Sequence, residues 1–202
     1  CGFGRTGNDF GCNTMGFHPQ LMTLAKQLSS AYIPISASII PEFMYQAMVE
    51  PSSKVGIFGH GYTYSGHPAA CAVALKTLEI YERENLFQHA AKMGECMQAK
   101  LKEVADHPLV GEVRGKGLIG AVELVANKKT GESFKDGSVG AYAKQASQEH
   151  GLLIRAVAGN SLAFCPPLII EEDQINEMID KFKLALKDTM DHVHSSGLLQ
   201  SQ

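Results

Sequence analysis

The chain has 202 residues, 45 % of them hydrophobic, and a formal net charge of −3, enough apolar content to bury a real core in one domain or two. No block of five or more like charges occurs, which argues against a nucleic-acid surface and against electrostatic recruitment to a membrane. The longest apolar runs, 33–41 and 162–170, are far too short to span a bilayer. Five cysteines stand at 1, 12, 71, 96 and 165, an odd count with no C-x-x-C pair. A disulfide framework or structural zinc site is therefore not indicated, and reduced thiols in the cytoplasm or an organellar matrix are expected. No basic segment followed by an apolar stretch opens the chain, so no secretion signal is visible. The first residue is Cys1, directly inside a Gly-rich motif, and the true beginning is expected upstream.

In chain order, the first third is rich in Gly and Ser and poor in charge, predicting loops and buried strands around a site. Gly2, Gly4 and Gly7 satisfy G-x-G-x-x-G literally. A dinucleotide fingerprint also needs a preceding strand and an acid about 20 residues on. No strand precedes it in this chain, and no Asp or Glu lies between Asp9 and Glu42. The ordinary reading is a tight turn with glycines at special backbone angles.

Lys26 can be read in two ways. Leu21, Leu24, Ala25 and Leu28 form a helical stripe that leaves Lys26 facing solvent. Alternatively, Lys26 closes a buried segment, where desolvation lowers its pKa and frees a neutral amine for imine formation. Composition does not choose between them. In 60–68 (HGYTYSGHP), hydroxyls at 62, 63, 64 and 65 precede a helix start. Orphan N–H groups and the helix dipole there suit an anion such as phosphate; a plain Ser/Thr-rich helix start is the alternative. His60 and His67 have no third metal ligand placed to help them.

His67-Pro68 opens an amphipathic helix with a stripe at Ala70, Val73, Ala74, Thr77, Leu78 and Tyr81. A second helix is predicted over 86–104, strands over 110–113 and 118–125 about a turn at 115–117, and an exposed loop over 127–137. A helix over 138–150 ends at Gly151, short strands follow at 152–157 and 161–164, and a last helix covers 171–192. Its apolar face carries Ile175, Met178, Ile179, Phe182 and Leu186. Arg155 follows the apolar run 152–154 and needs a partner, either a substrate carboxylate held bidentately or a structural salt bridge. Glu112, Arg114 and Glu123 read as paired surface charges. The pattern is α/β or α+β, with a seam near 83–105 as the candidate domain boundary.

Taken in order, the stretches 1–7 (CGFGRTG), 21–34 (LMTLAKQLSSAYIP), 60–68 (HGYTYSGHP), 107–123 (HPLVGEVRGKGLIGAVE) and 151–168 resemble the class III aminotransferases, and the resemblance covers nearly the whole chain. It implies an α/β fold-type I enzyme dependent on pyridoxal 5′-phosphate, acting as a homodimer with sites built across the subunit interface. Residues 1–83 then belong to the carboxy-terminal part of the large cofactor-binding domain and 84–202 to an α+β small domain. By the same resemblance, Lys26 is the lysine that holds the cofactor and shuttles a proton, placed just after a strand and not within a helix. Thr63, with the backbone near Tyr62, reaches the phosphate of the neighbouring subunit's cofactor. Arg155 binds the keto-acid carboxylate, and no metal is implied.

The branch that uses 2-oxoglutarate has an arginine where Ala163 stands, so the resemblance implies pyruvate or glyoxylate as acceptor and an ω-amino acid or amine as donor. Two positions depart from the usual pattern: Gln20 stands where the family shows Asp, and Ala31 stands near a usual Gly. The family's aspartate for the ring nitrogen, its Gly/Ser phosphate loop and its stacking aromatic lie upstream of this segment. The 202 residues alone are therefore expected to be inactive. Rival readings are a mutase or decarboxylase of the same superfamily, or a non-catalytic relative serving as an interaction subunit.

Overall fold

A computed structural model describes residues 1–199. The elements run α1 (Gly11–Met15), β1 (Met22–Leu24), a 3-10 turn (Lys26–Leu28), β2 (Ala37–Ile39), α2 (Glu42–Val55), α3 (Pro68–Arg83), α4 (Leu86–Lys102), β3 (Val110–Lys116), β4 (Ile119–Leu124), α5 (Ser138–Glu149), β5 (Arg155–Val157), β6 (Ser161–Phe164) and α6 (Glu172–Ser195).

From β3 onward the strands form one antiparallel sheet in the order β3-β4-β6-β5. Side chains alternate across it: in β4, Gly120, Val122 and Leu124 are buried while Ile119, Ala121 and Glu123 are partly open. The register aligns Val113, Val122, Leu162 and Ala156 on the covered face. Helices α4, α5 and α6 pack on that side, and Leu101, Leu118, Val122, Leu162, Ile175 and Phe182 are sealed from solvent between the layers. Each such large side chain contributes roughly 1.5–3 kcal/mol relative to exposure. Phe164 and Phe182 meet edge to face at 4.9 Å, a geometry worth about 0.5–1.5 kcal/mol beyond area.

Helix α6 forms as its periodicity dictates. Ile175, Met178, Ile179, Phe182 and Leu186 are all buried. Glu171 and Gln174 close a capping box at its start, and Glu172 and Asp173 occupy the first turn, where the dipole favours acids. Two contacts lock α5 to α6: Tyr142 stacks on His192 at 3.8 Å, and His150 Nε2 donates to Asp188 Oδ2 at 2.7 Å. The helix α3 buries Ala70, Ala74, Thr77 and Tyr81, whereas Leu78, expected on the same stripe, lies exposed.

The opposite face of the sheet carries charge. Arg114 pairs with both Glu112 and Glu123, at 2.8 and 2.6 Å, as the sequence suggests. Its register runs Arg114, Ala121, Ala163, Arg155 across the strands.

The first third departs from expectation. Among the described residues its strands β1 and β2 pair only with each other, and α2 buries no residue. The predicted buried strands are thus open on this chain, because a two-stranded ribbon has no second layer to cover it. Phe17, Tyr32, Phe43, Ile57 and Phe58 are all more than half exposed.

His107 supplies a pH test of the small sheet's entry. Its Nδ1 accepts the Leu109 N–H at 3.3 Å, which requires the neutral ring, and the His107 carbonyl accepts from Lys128 Nζ at 3.2 Å. Burial, with Lys128 nearby, lowers its pKa. A depressed folded-state pKa means stability that is present above the unfolded value, about 6.5, and lost as pH falls below it. Thermal unfolding between pH 7.5 and 5 is expected to show this loss, and His107→Asn, whose amide oxygen accepts at any pH, is expected to flatten it.

Candidate active site

The Gly-rich turn at the start of the chain is a packing joint. Phe3 N–H donates to Asp9 O at 2.6 Å and Gly7 N–H to Gly4 O at 2.8 Å, closing the turn. Gly4 and Gly7 both hold positive φ, 91° and 84°. A Cβ on Gly4 would stand 2.4 Å from the Phe87 ring, and one on Gly7 2.8 Å from Ala91. Both glycines thus let the turn lie against α4, which leaves the dinucleotide reading without support. Arg5 fastens the same turn on its other side. Its carbonyl accepts the Leu118 N–H at 3.0 Å, and its Nη1 donates to Leu118 O at 3.1 Å and to Pro166 O. Burial lowers the Arg5 pKa, an effect opposed by Cys165 and Tyr81 nearby.

Lys26 sits directly after β1, at the first residue of the 3-10 turn. The helical stripe inferred from periodicity does not form: Ala25 is extended, at φ −162°, and Lys26 takes φ +56°, a break that ends any regular run. Lys26 is exposed, so the described residues do not supply the desolvation that a lysine closing a buried segment needs. Its Nζ has no ion pair or side-chain hydrogen bond among the described residues. The backbone around it is closely tied. Lys26 O accepts from Ser29 and Ala31 N–H at 3.2 and 3.4 Å, and buried Ser29 donates its hydroxyl to Ile33 O at 2.7 Å. Ser30 and Ala31 also hold positive φ, 48° and 63°, backbone that glycine adopts without strain and other residues rarely do.

One residue of this region has no local sequence signature. Tyr81 reads as one more apolar residue of the α3 stripe, yet its buried hydroxyl donates to Gln27 O at 2.8 Å. Its partner lies 54 residues away. Burial raises the Tyr81 pKa, partly offset by the Ser30 hydroxyl and by Arg5, so the phenol remains a donor.

The 60–68 segment is wholly exposed. His60 and Tyr62 meet edge on at 5.2 Å, and Tyr64 lies against His67 at 6.5 Å. Helix α3 begins with His67 as N-cap and Pro68 at the first turn, with no side-chain cap hydrogen bond. None of the neighbouring hydroxyls caps the helix. The Thr63 and Ser65 hydroxyls bind no other side chain among the described residues. No group of three His, Cys, Asp or Glu that could hold a metal occurs among the described residues.

Arg155 opens β5 on the charged sheet face, opposite Ala163 of β6. It is exposed and makes no salt bridge among the described residues, in contrast to Arg114 on the same face. Lys26, on the 3-10 turn, Thr63, in the turn before α3, and Arg155, on β5, do not bond to one another among the described residues. A cleft of about 230 Å³ between β4 and the 133–137 and 158–160 turns contains none of them. All five cysteines are free, and among the described residues no helix is long and apolar enough to cross a membrane.

Known proteins agree closely with this chain. The family model "Aminotransferase class-III" matches residues 1–186. Gamma aminobutyrate transaminase 3, chloroplastic, of Solanum lycopersicum is 41 % identical over 194 residues, covering 96 % of this chain and 37 % of the relative. Putrescine–pyruvate aminotransferase of Pseudomonas aeruginosa is 43 % identical over 190 residues, covering 94 % of this chain and 41 % of the relative. Among solved structures, the omega transaminase from Pseudomonas jessenii in complex with PMP superposes with a TM-score of 0.92 at 47 % identity, over 96 % of this chain and 43 % of that one. The chain therefore spans less than half the length of these relatives. It has the mixed α/β architecture of the corresponding part of the fold-type I omega transaminases, and it belongs to the class-III aminotransferase family.

Proposed function

We propose that this chain is the carboxy-terminal part of a pyridoxal 5′-phosphate enzyme that transfers an amino group from an ω-amino acid or amine to a keto acid, with pyruvate or glyoxylate favoured. Residues 1–83 are read as the end of the large cofactor-binding domain and 84–202 as the small domain. The observation that carries the reading is Lys26, a free, exposed primary amine fixed on a tied turn directly after β1, in a chain matched by the family model over residues 1–186. The relatives' names support the substrate class, since gamma-aminobutyrate and putrescine both present an amine at a chain end.

The residues present fit the cofactor chemically. Lys26 offers an unpaired amine, and the hydroxyls of 62–65 precede an uncapped helix N-terminus suited to a phosphate. When bound, pyridoxal phosphate supplies an electron sink for charge developing at the substrate carbon that bears the amine. Lys26 Nζ holds the cofactor between turnovers and then carries the proton to and from that carbon. Thr63 Oγ1, with the backbone near Tyr62, binds the phosphate of a neighbouring subunit. The exposure of Phe58, Tyr62 and Tyr64, at 57 %, 74 % and 82 %, supports a homodimer whose second copy covers this segment. Arg155 orients the keto acid by its carboxylate, using the fork geometry of its guanidinium.

The test is an absorbance spectrum of a protein of the relatives' full length that carries this chain, loaded with pyridoxal phosphate. A visible band that bleaches on adding an ω-amino acid is expected; no band with the native sequence overturns the assignment. The 202-residue chain alone lacks the aspartate, phosphate loop and aromatic that the resemblance assigns upstream, and is expected to give no transamination above buffer. Measurable turnover by the isolated chain would contradict this.

A further inference from the structure

We infer that Tyr81 is a positioning residue that holds the Lys26 turn in its strained shape, an inference that rests on the reading of Lys26 above. Three residues of the turn between β1 and β2 that are not glycine, Lys26, Ser30 and Ala31, hold φ values of 56°, 48° and 63°. Such backbone is disfavoured for residues with a Cβ and persists only where surroundings over-determine it. Within the turn the restraints are short-range hydrogen bonds: Ser29 and Ala31 N–H to Lys26 O, Ser30 N–H to Gln27 O, and Ser29 Oγ to Ile33 O. Leu28 of the turn is buried in the core, and the long-range side-chain hydrogen bond is the phenol of Tyr81, which reaches from α3 to the Gln27 carbonyl, one residue after Lys26, at 2.8 Å.

The phenol is itself well supported. Tyr81 is buried, its ring packs on Phe87 of α4 at 5.6 Å, and that same Phe87 lies against Gly4 of the Gly-rich turn. The lysine's backbone is thereby referred, through one hydroxyl, to the rigid joint between the Gly-rich turn and α4. A shift of the amine by a fraction of an ångström at a reacting centre is costly, so this reference fixes where Nζ can be delivered.

The experiment uses the full-length, cofactor-loaded protein with Tyr81→Phe, alone and combined with Ala31→Gly. The Tyr81→Phe variant keeps the ring and its packing and removes only the hydroxyl. Expected for Tyr81→Phe is a fall in kcat of about tenfold, KM for donor and acceptor little changed, and a weakened visible circular-dichroism signal of the lysine-bound cofactor. Ala31→Gly lets position 31 hold positive φ without strain, so the turn needs less holding. In the Tyr81→Phe background it is expected to recover most of the lost kcat and signal, a non-additive pair. Lower melting of the cofactor-free protein with kcat and dichroism unchanged, or strictly additive effects of the two substitutions, would overturn the inference and leave Tyr81 as packing. A native protein that forms no lysine-bound band overturns the Lys26 assignment itself, which separates the two failures.

Discussion

Replacing Lys26 with alanine in the full-length protein is expected to reduce transamination by at least about 10⁴-fold, because one side chain serves as both covalent anchor and proton carrier. The visible band is expected to vanish while cofactor still binds through its phosphate, so equilibrium dialysis should recover bound pyridoxal phosphate from a protein without the band. A small primary amine such as methylamine, added to the Lys26→Ala protein, is expected to restore part of the rate by supplying the missing base. Lys54 and Lys76, the next two lysines along the chain, are engaged with Glu50 and Glu79. Retention of the band and of turnover in Lys26→Ala would remove Lys26 from the chemistry altogether.

Arg155→Ala is expected to separate the two half-reactions. Losing charge-assisted hydrogen bonds of about 1.5–3 kcal/mol corresponds to a fall of roughly ten- to a hundredfold in kcat/KM for pyruvate. Attack by an amine without a carboxylate should be almost untouched. Single-turnover kinetics with each substrate measures the two separately, and equal losses in both would assign Arg155 a structural role. The register sharpens the test. Ala163 is the direct cross-strand partner of Arg155, so Arg155→Ala with Ala163→Arg moves the guanidinium one strand inward, about 4.8 Å, on the same sheet face. That double variant is expected to shift acceptor preference from pyruvate toward the longer 2-oxoglutarate.

The residues that were legible in the sequence are those whose environment lies within the chain. Ile175 to Leu186 repeat at helical spacing and are buried as the spacing requires; the hairpin of β3 and β4 follows from its glycines and alternation. Helix α2 was not legible. Phe43, Met44, Tyr45, Ala47, Met48 and Val49 are apolar nearly all round, so no stripe marks it, and none of them is buried here. The turn at Lys26 misled periodicity for a different reason, since Leu21, Leu24, Ala25 and Leu28 keep helical spacing while the backbone breaks at a positive φ. Only the resemblance to the family placed that lysine after a strand. Tyr81 and Arg5 escaped because their partners, Gln27 and Pro166, lie 54 and 161 residues away, beyond any local pattern.

That last separation has a consequence during synthesis. Arg5 is synthesised 113 residues before Leu118 and 161 before Pro166, whose carbonyls seat its guanidinium. At roughly 5–20 residues per second, Pro166 follows Arg5 by about 10 to 30 seconds. Until then the Gly-rich turn can rest on α4 and on Leu118 but lacks the second carbonyl for Arg5. A pause in translation before residue 166 is therefore expected to delay the closing of this joint and not the formation of α4.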